Sequence, residues 1–277
     1  MRNGYNIEML KARLDILLVE KGLAESRAKA QALVMAGQVR VNGQVVDRAA
    51  ANILRDAEVK VEQGPRFVSR GGDKLEAALT TFPVNVSGLV CADVGASTGG
   101  FTDCLLQHGA ARVYAIDVGK GLLHWKLRTD PRVVVMEKTN ARYMEKIPEP
   151  VSLVTIDASF ISLKILLPVV KGWFLPSPLT PFLQAGEGSV IALIKPQFEA
   201  GRKETARNKG VIRDAQVHRS VLADILSFTQ MQGFVTCDLM RSPVLGPKGN
   251  VEFLAWLGMS DYEGVDLERL LIKVSGK

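Results

Sequence analysis

The chain has 277 residues, of which 47% are hydrophobic and 23% charged, with a net charge of +6. That balance belongs to a globular protein of one large or two unequal domains, and the mild basicity permits an anionic partner. The three cysteines and three histidines are widely spaced and form no disulfide frame or ligand cluster, so no metal is expected. No apolar run has the length of a membrane span, and the opening Met1 to Glu8 lacks the apolar core of a signal peptide. The expected compartment is the cytoplasm, with no membrane partner.

Residues 12–62 read as a small module. Arg13 to Gly22 carries Leu14, Leu17 and Leu18 on one helical face and stops on a glycine. Ser26 caps a second helix whose face holds Ala30, Leu33 and Val34, ending at Gly37. Val39 to Val46 alternates around Asn42-Gly43, a hairpin signal. Residues 1–71 hold 12 Lys and Arg against 8 Asp and Glu, a net +4, whereas the other 206 carry 23 against 21. The basic excess is concentrated in this smaller part.

Residues 63–72 read as a linker, with Arg66 and Arg70 continuing the basic track. Gly72-Asp73-Lys74 opens a helix with Leu75, Ala78 and Leu79 inward, and Lys74 falls in its first turn, where a cation opposes the helix dipole. From residue 73 to 258 strands and helices alternate. Strands are expected at 89–94, 112–117, 133–137, 152–157, 189–195, 234–241 and 251–257, with helices notably at 161–174 and 214–232. This implies a mostly parallel, doubly wound sheet with its ligand at the carboxyl edge. In the first βα unit, Asp93 closes an apolar strand, Gly95 to Gly100 make a tight turn, and Phe101 to His108 have helical spacing. The spacing is not G-x-G-x-x-G, and no P-loop occurs. The next strand ends at Asp117, placed to hold two ribose hydroxyls, so an adenosine ligand is expected, with S-adenosylmethionine ahead of NAD. Trp173 to Pro181 reads as a proline-broken excursion, and Gly201 to Gly210, a basic loop near the active edge, reads equally as a mobile lid or a plain surface loop. Residues 259–277 read as an acidic turn and a short amphipathic helix.

Four polar residues fall on one edge of this sheet: Lys74, Asp157 ending the fourth strand, Lys195 ending the fifth, and Glu252 entering the last. A lysine that closes an apolar parallel strand has little structural reason to be there, because its buried charge needs a partner.

Two resemblances follow from these words. Arg13-Leu-Asp15, Gly22-Leu23, Ser26-Arg27, Ala30-Gln31, Gly37 and Val39-x-Val-Asn-Gly43 resemble the S4 RNA-binding domain. That likeness implies phosphate contacts from Arg13, Arg27, Lys29 and Arg40, with Lys11 and Lys21 nearby. The order Lys-Asp-Lys-Glu resembles the tetrad of the FtsJ-like ribose 2′-O-methyltransferases. Val68 to Leu75, Asp93 to Thr102, Lys138 to Arg142 and Ile194 to Glu199 look like the TlyA family, often labelled haemolysin A. The resemblance implies a Rossmann-like methyltransferase sheet behind a small α+β S4 domain. It also implies S-adenosylmethionine-dependent 2′-O-methylation of cytidine in ribosomal RNA, of the large (23S) subunit and in some members the small (16S). Lys195 would take the hydroxyl proton or steer the hydroxyl, Asp157 would orient Lys195, and Glu252 would hold Lys74 or the substrate hydroxyl. Backbone at Gly95, Ser97, Thr98, Gly99 and Gly100, with Phe101 opening the helix, would face the methionine part. Asp93 would orient the turn or bind the methionine amine, Asp117 the ribose, and Asn140 the adenine edge. Phe198 stacks on a flipped-out base or packs in the core. The competing readings are a small-molecule methyltransferase, a non-catalytic RNA-binding assembly factor, and a membrane-active cytolysin.

Overall fold

The computed structural model describes residues 10–62, 64–174, 188–201, 210–259 and 262–275. Two compact units meet between Arg66 and Phe67.

The first unit contains β1 (Lys11–Arg13), α1 (Leu14–Glu20), α2 (Arg27–Met35), β2 (Val39–Val41), β3 (Gln44–Val45), β4 (Asn52–Leu54) and β5 (Val59–Val61). Leu14 and Leu18 of α1 close on Ala30 and Val34 of α2 and on Val39 of β2, which makes the unit's apolar core. Ser26 Oγ accepts from Lys29 N at 3.2 Å, the expected cap. Asn42 and Gly43 stand at φ 49° and 81°, the left-handed pair a two-residue hairpin needs. β1 pairs with β4, and β5 adds to the hairpin beside β2. The sequence pattern misses these three strands, because three residues show too little alternation to register.

In the second unit the elements are α3 (Gly71–Thr81), β6 (Val90–Val94), α4 (Gly100–Gln107), β7 (Arg112–Ile116), α5 (Trp125–Arg128), β8 (Val133–Met136), β9 (Leu153–Ile156), α6 (Leu163–Lys171), β10 (Ser189–Ile194), α7 (Pro196–Glu199), α8 (Ala215–Met231), β11 (Val235–Arg241), β12 (Phe253–Gly258) and α9 (Leu267–Ser275). Among the described residues they build a seven-stranded sheet ordered β11-β12-β10-β9-β6-β7-β8. The strands from β10 to β8 are parallel, and β12 inserts antiparallel between β10 and β11. All six residues of β10 are buried, as a strand covered on both faces must be. One face packs under α6, α8 and α9, and the other under α3, α4 and α5. Strand order reverses between β6 and β9, so a crevice opens at their carboxyl ends.

Three expectations need correction. Residues 67–72, read as linker, belong to the second unit: Phe67 is buried and Val68 N donates to Asp103 Oδ2 at 2.9 Å. Trp173 and Phe174, read as the start of an excursion, are core residues, and Trp173 Nε1 donates to Met144 O at 2.9 Å. Residues 175–181 of that stretch lie outside the described residues, as do 202–209 of the basic loop. Nor is His108 isolated. Its Nε2 stands 2.6 Å from Glu76 Oε2, with Cys104 Sγ 3.7 Å from the same oxygen, tying α3 to α4.

Candidate active site

Two cavities, of about 700 and 660 Å³, open at the carboxyl edge of the sheet and share Gly95, Ser97, Asp157, Ser159 and Phe160 as a common wall. Gly95 follows β6 at φ 84°, and a Cβ there would lie 2.8 Å from Asp157 O. Only glycine lets the two strand ends come this close at the point where strand order reverses.

The larger cavity receives all four tetrad side chains. Helix α3 begins at Gly71, so Lys74 is its fourth residue, at the close of the first turn, and it is buried. Its Nζ lies 2.6 Å from Oε2 of Glu252, a fully buried carboxylate. Because β12 runs antiparallel, its first residues reach the carboxyl edge of the parallel strands, which delivers Glu252 there. The other carboxylate oxygen accepts from Gln197 Nε2 at 3.1 Å, while Gln197 Oε1 is buried without a partner among the described residues. A Cβ on Gly246 would stand 2.1 Å from Glu252 Oε1, so a larger residue in the turn before β12 would have to displace that carboxylate. Lys195, at the end of β10, has Nζ 2.6 Å from Asp157 Oδ1 and donates to Ser159 Oγ at 2.9 Å. The site therefore holds two ion pairs, each a buried ammonium matched by an acid, as desolvated charges require. Beside them, the Phe198 ring centroid lies 5.8 Å from Lys195 Nζ and 4.8 Å from that of Phe160. Phe160 is 90% exposed and sits at φ 64°, a conformation a bulky residue rarely adopts.

Asp117 and Asn140 line the smaller cavity with Gly95 and Ser97. Asp117 accepts from Ser97 N at 2.8 Å and Gly119 N at 2.7 Å, which fixes its carboxylate at the end of β7. Asn140 Oδ1 accepts from Arg142 N at 3.1 Å. Thr98, Gly100 and Phe101 face the larger cavity instead, and Gly99 lines neither, its Cα lying against Leu127. Asp93 also lines neither. Its fully buried carboxyl accepts from Thr102 Oγ1 at 2.7 Å and Thr155 Oγ1 at 3.1 Å, joining β6 to α4 and β9. This geometry suits the orienting role and leaves no path to a ligand amine.

Burial pushes the Asp93 carboxyl up to about 7 from 3.8. A raised acid binds its proton more tightly folded than unfolded, so its contribution to stability is complete below about pH 4 and is lost as pH rises to 7. Asp93→Asn keeps the shape without the titration. Its unfolding free energy, followed by urea melts from pH 4 to 8, is expected to gain on wild type by a few kcal/mol across that range.

In the first unit Arg13, Arg27 and Arg40 are held by acids. Asp15, fully buried, accepts from Arg13 Nη2 at 3.0 Å, Arg27 Nε at 2.9 Å and Gln31 Nε2 at 2.9 Å. The Arg13 guanidinium holds its carboxyl well below the usual carboxylate range. Arg40 Nε lies 2.5 Å from Glu62 Oε1, and Lys21 Nζ donates to Ala57 O at 3.4 Å. Lys11, Lys29 and Arg66 are exposed in this unit. Arg70, of the second unit, is exposed on the rim of the larger cavity. Asp15→Ala is expected to destabilise the full chain's first unit by about 2–4 kcal/mol, since it releases two guanidiniums and a buried carboxylate's bonds. Hydrogen exchange at α1 and α2 checks it.

Sequence reasoning missed Ser159, Phe160, Gln197 and the exposed Lys248, all of which line the larger cavity. Gln197 lies inside a word already singled out, Lys195-Pro-Gln-Phe198. The others sit in turns, where no periodicity marks them.

Strand order, glycine turn and paired lysine–acid groups define a methyltransferase of the doubly wound α/β class. The chain belongs to the FtsJ-like methyltransferase family, whose sequence model matches residues 67–259, and an S4 domain matches residues 12–59. Among its relatives, the 16S/23S rRNA (cytidine-2′-O)-methyltransferase TlyA of Mycobacterium tuberculosis is 43% identical, covering 89% of this chain and 90% of that one. YqxC of Bacillus subtilis is 48% identical over 89% of this chain and 85% of its own. A solved structure from Streptococcus thermophilus, labelled a hemolysin, is 40% identical with a TM-score of 0.68, covering 95% of each chain. No helix among the described residues is long and apolar enough to cross a membrane.

Proposed function

We propose that this methyltransferase uses S-adenosylmethionine to methylate the ribose 2′-hydroxyl of cytidine in ribosomal RNA, in the 23S molecule alone or in the 16S molecule as well. The observation that carries this reading is the pair Lys195–Asp157 beside the pair Lys74–Glu252 in one cavity, adjoining a second cavity with a carboxylate at its strand end. The relatives named for the same reaction support it.

The residues fit such a cofactor. The smaller cavity offers the Asp117 carboxylate for a ribose diol, Asn140 for a base edge, apolar Leu122 and Ile165, and close backbone at Gly95. Bound there, S-adenosylmethionine supplies an electrophilic methyl group. What remains for the protein is to place a weak nucleophile in line with it. Lys195 Nζ, held by Asp157 and Ser159, is the group that meets the 2′-hydroxyl, either steering it or taking its proton. Lys74, fixed by Glu252, adds positive charge against the developing oxyanion. Phe160 and Phe198 offer an aromatic face to an unstacked base at the mouth. Arg13, Arg27, Lys29, Arg40, Arg66 and Arg70 supply the phosphate contacts. No role for a metal arises in this scheme.

Incubating the protein with labelled S-adenosylmethionine and separated ribosomal subunits, then mapping the label, tests the reading. Label on cytidine 2′-oxygens is expected. Label on a base, or none on either subunit, overturns it.

A further inference from the structure

A small cavity of about 140 Å³ opens beside the ends of β11 and β12, lined by Arg213, His218, Arg241, Val251, Phe253 and Val274 among others. Its volume is several times the roughly 30 Å³ share of one water, room for one tetrahedral oxyanion. Arg241 ends β11 and pairs in register with Phe253, the first residue of β12, so the cavity lies at the same sheet edge as the tetrad. The run from Asn250 to Phe253 alternates between two sites. Asn250 and Glu252 line the catalytic cavity, whereas Val251 and Phe253 line this one, because successive side chains of an extended segment point to opposite faces. One backbone thickness separates the two.

The segment bearing Arg213 is pinned to that wall. Ile212 N donates to Asn250 Oδ1 at 3.0 Å, and His218 Nε2 lies 3.1 Å from Ile212 O. Burial, the larger influence, holds His218 below its ordinary value, so the positive charge of the cavity comes from the two guanidiniums. Arg112, Arg128, Arg132 and Arg219 of this unit each hold a carboxylate. Arg213 and Arg241 are exposed, and neither has a side-chain hydrogen bond or ion pair among the described residues. Two unspent planar forks facing one anion-sized cavity match the geometry with which arginine grips phosphate.

We propose that Arg213 and Arg241 form a subsite for a phosphodiester of the RNA strand that carries the target nucleotide. This deepens the reading given above and rests on it. The grip orients the strand across the edge of β12 so that the ribose enters on the tetrad side.

The test is RNA binding by the full chain with S-adenosylhomocysteine present, which needs no turnover. Ribosomal RNA is titrated against wild type, R213Q/R241Q and R213K/R241K at several salt concentrations, with melting temperature and S-adenosylhomocysteine affinity as folding controls. R213Q/R241Q is expected to bind on the order of tenfold more weakly at physiological salt. Its log–log salt dependence should be shallower by about 0.7–0.9, the loss of one phosphate contact. The lysine pair, keeping charge without the fork, should fall between. Equal affinity and slope for R213Q/R241Q and wild type overturns the proposal. So does protection of wild type alone by inorganic phosphate with RNA affinity unchanged, which would mark a free-anion site. If wild type itself binds no RNA, the methylation reading fails as well.

Discussion

Lys195→Ala is expected to lower the rate of methyl transfer to ribosomal RNA by about 10²–10⁴-fold, the range that a positioned proton-transfer or steering group supplies. Cofactor and RNA affinities should stay near wild type. Lys195 lies in the cavity next to the one assigned to S-adenosylmethionine, and its two held partners, Asp157 and Ser159, remain in place without it. Asp157 is 22% exposed, so water replaces the lost ammonium and the cost to stability is modest, about 1 kcal/mol. Single-turnover methylation and equilibrium cofactor binding, measured on the same preparation, check both halves. Wild-type turnover would remove Lys195 from the chemistry. Lys195→Arg then separates the two roles left open. A guanidinium keeps the charge and the donors but does not release its proton at neutral pH. Retained rate assigns steering, and loss comparable to alanine assigns proton transfer.

The other tetrad pair should respond in the opposite sense. Lys74→Met strands Glu252, which has no exposed surface, and is expected to destabilise the protein by about 3–5 kcal/mol as well as abolish transfer. Adding Glu252→Gln removes the stranded charge. The new amide keeps an oxygen to accept from Gln197 Nε2 and carries no charge to be desolvated. The double variant K74M/E252Q should therefore recover most of the lost stability in urea melts while remaining inactive. If K74M melts like wild type, Glu252 is not dependent on Lys74 and the pair is not a matched buried couple. If the double variant regains activity, Lys74 contributes nothing to the reaction.

How much of this could be read in advance depended on the range of the interaction. The seven strands of the large sheet, of four to seven residues each, were legible because most of them, covered on both faces, are near-continuous apolar runs. The hairpin at Asn42-Gly43 was legible because the turn chemistry is local. Lys195 stood out as a charge at the end of such a run. The contact that fixes the tetrad was legible only through the family resemblance, which offered Glu252 as holding Lys74 or the substrate hydroxyl: the two residues are 178 positions apart, and nothing in either flank specifies the other. Asp93 looked like a ligand residue because it closes a strand before a glycine turn. Its two threonine donors, Thr102 and Thr155, come from separate elements, and only the fold brings them to it. The junction at Phe67 was misread for a related reason. The stretch 63–72, with three glycines and two arginines, has the composition of a linker, and the burial of Phe67 decides that residues 67–72 are not part of one.

The position of β12 also governs how the catalytic unit can come into being. It is the last strand of the sheet to leave the ribosome, yet it lies inside, hydrogen-bonded to β10 on one side and β11 on the other. A nascent chain that stops before Glu252 presents two bare strand margins and an uncompensated lysine at the future pocket, and such margins invite association with other chains. Maturation is thus all or nothing: translation must pass β12 before the pocket gains its fourth charge, and products cut short of it should be cleared as aggregates instead of lingering as partly working enzymes.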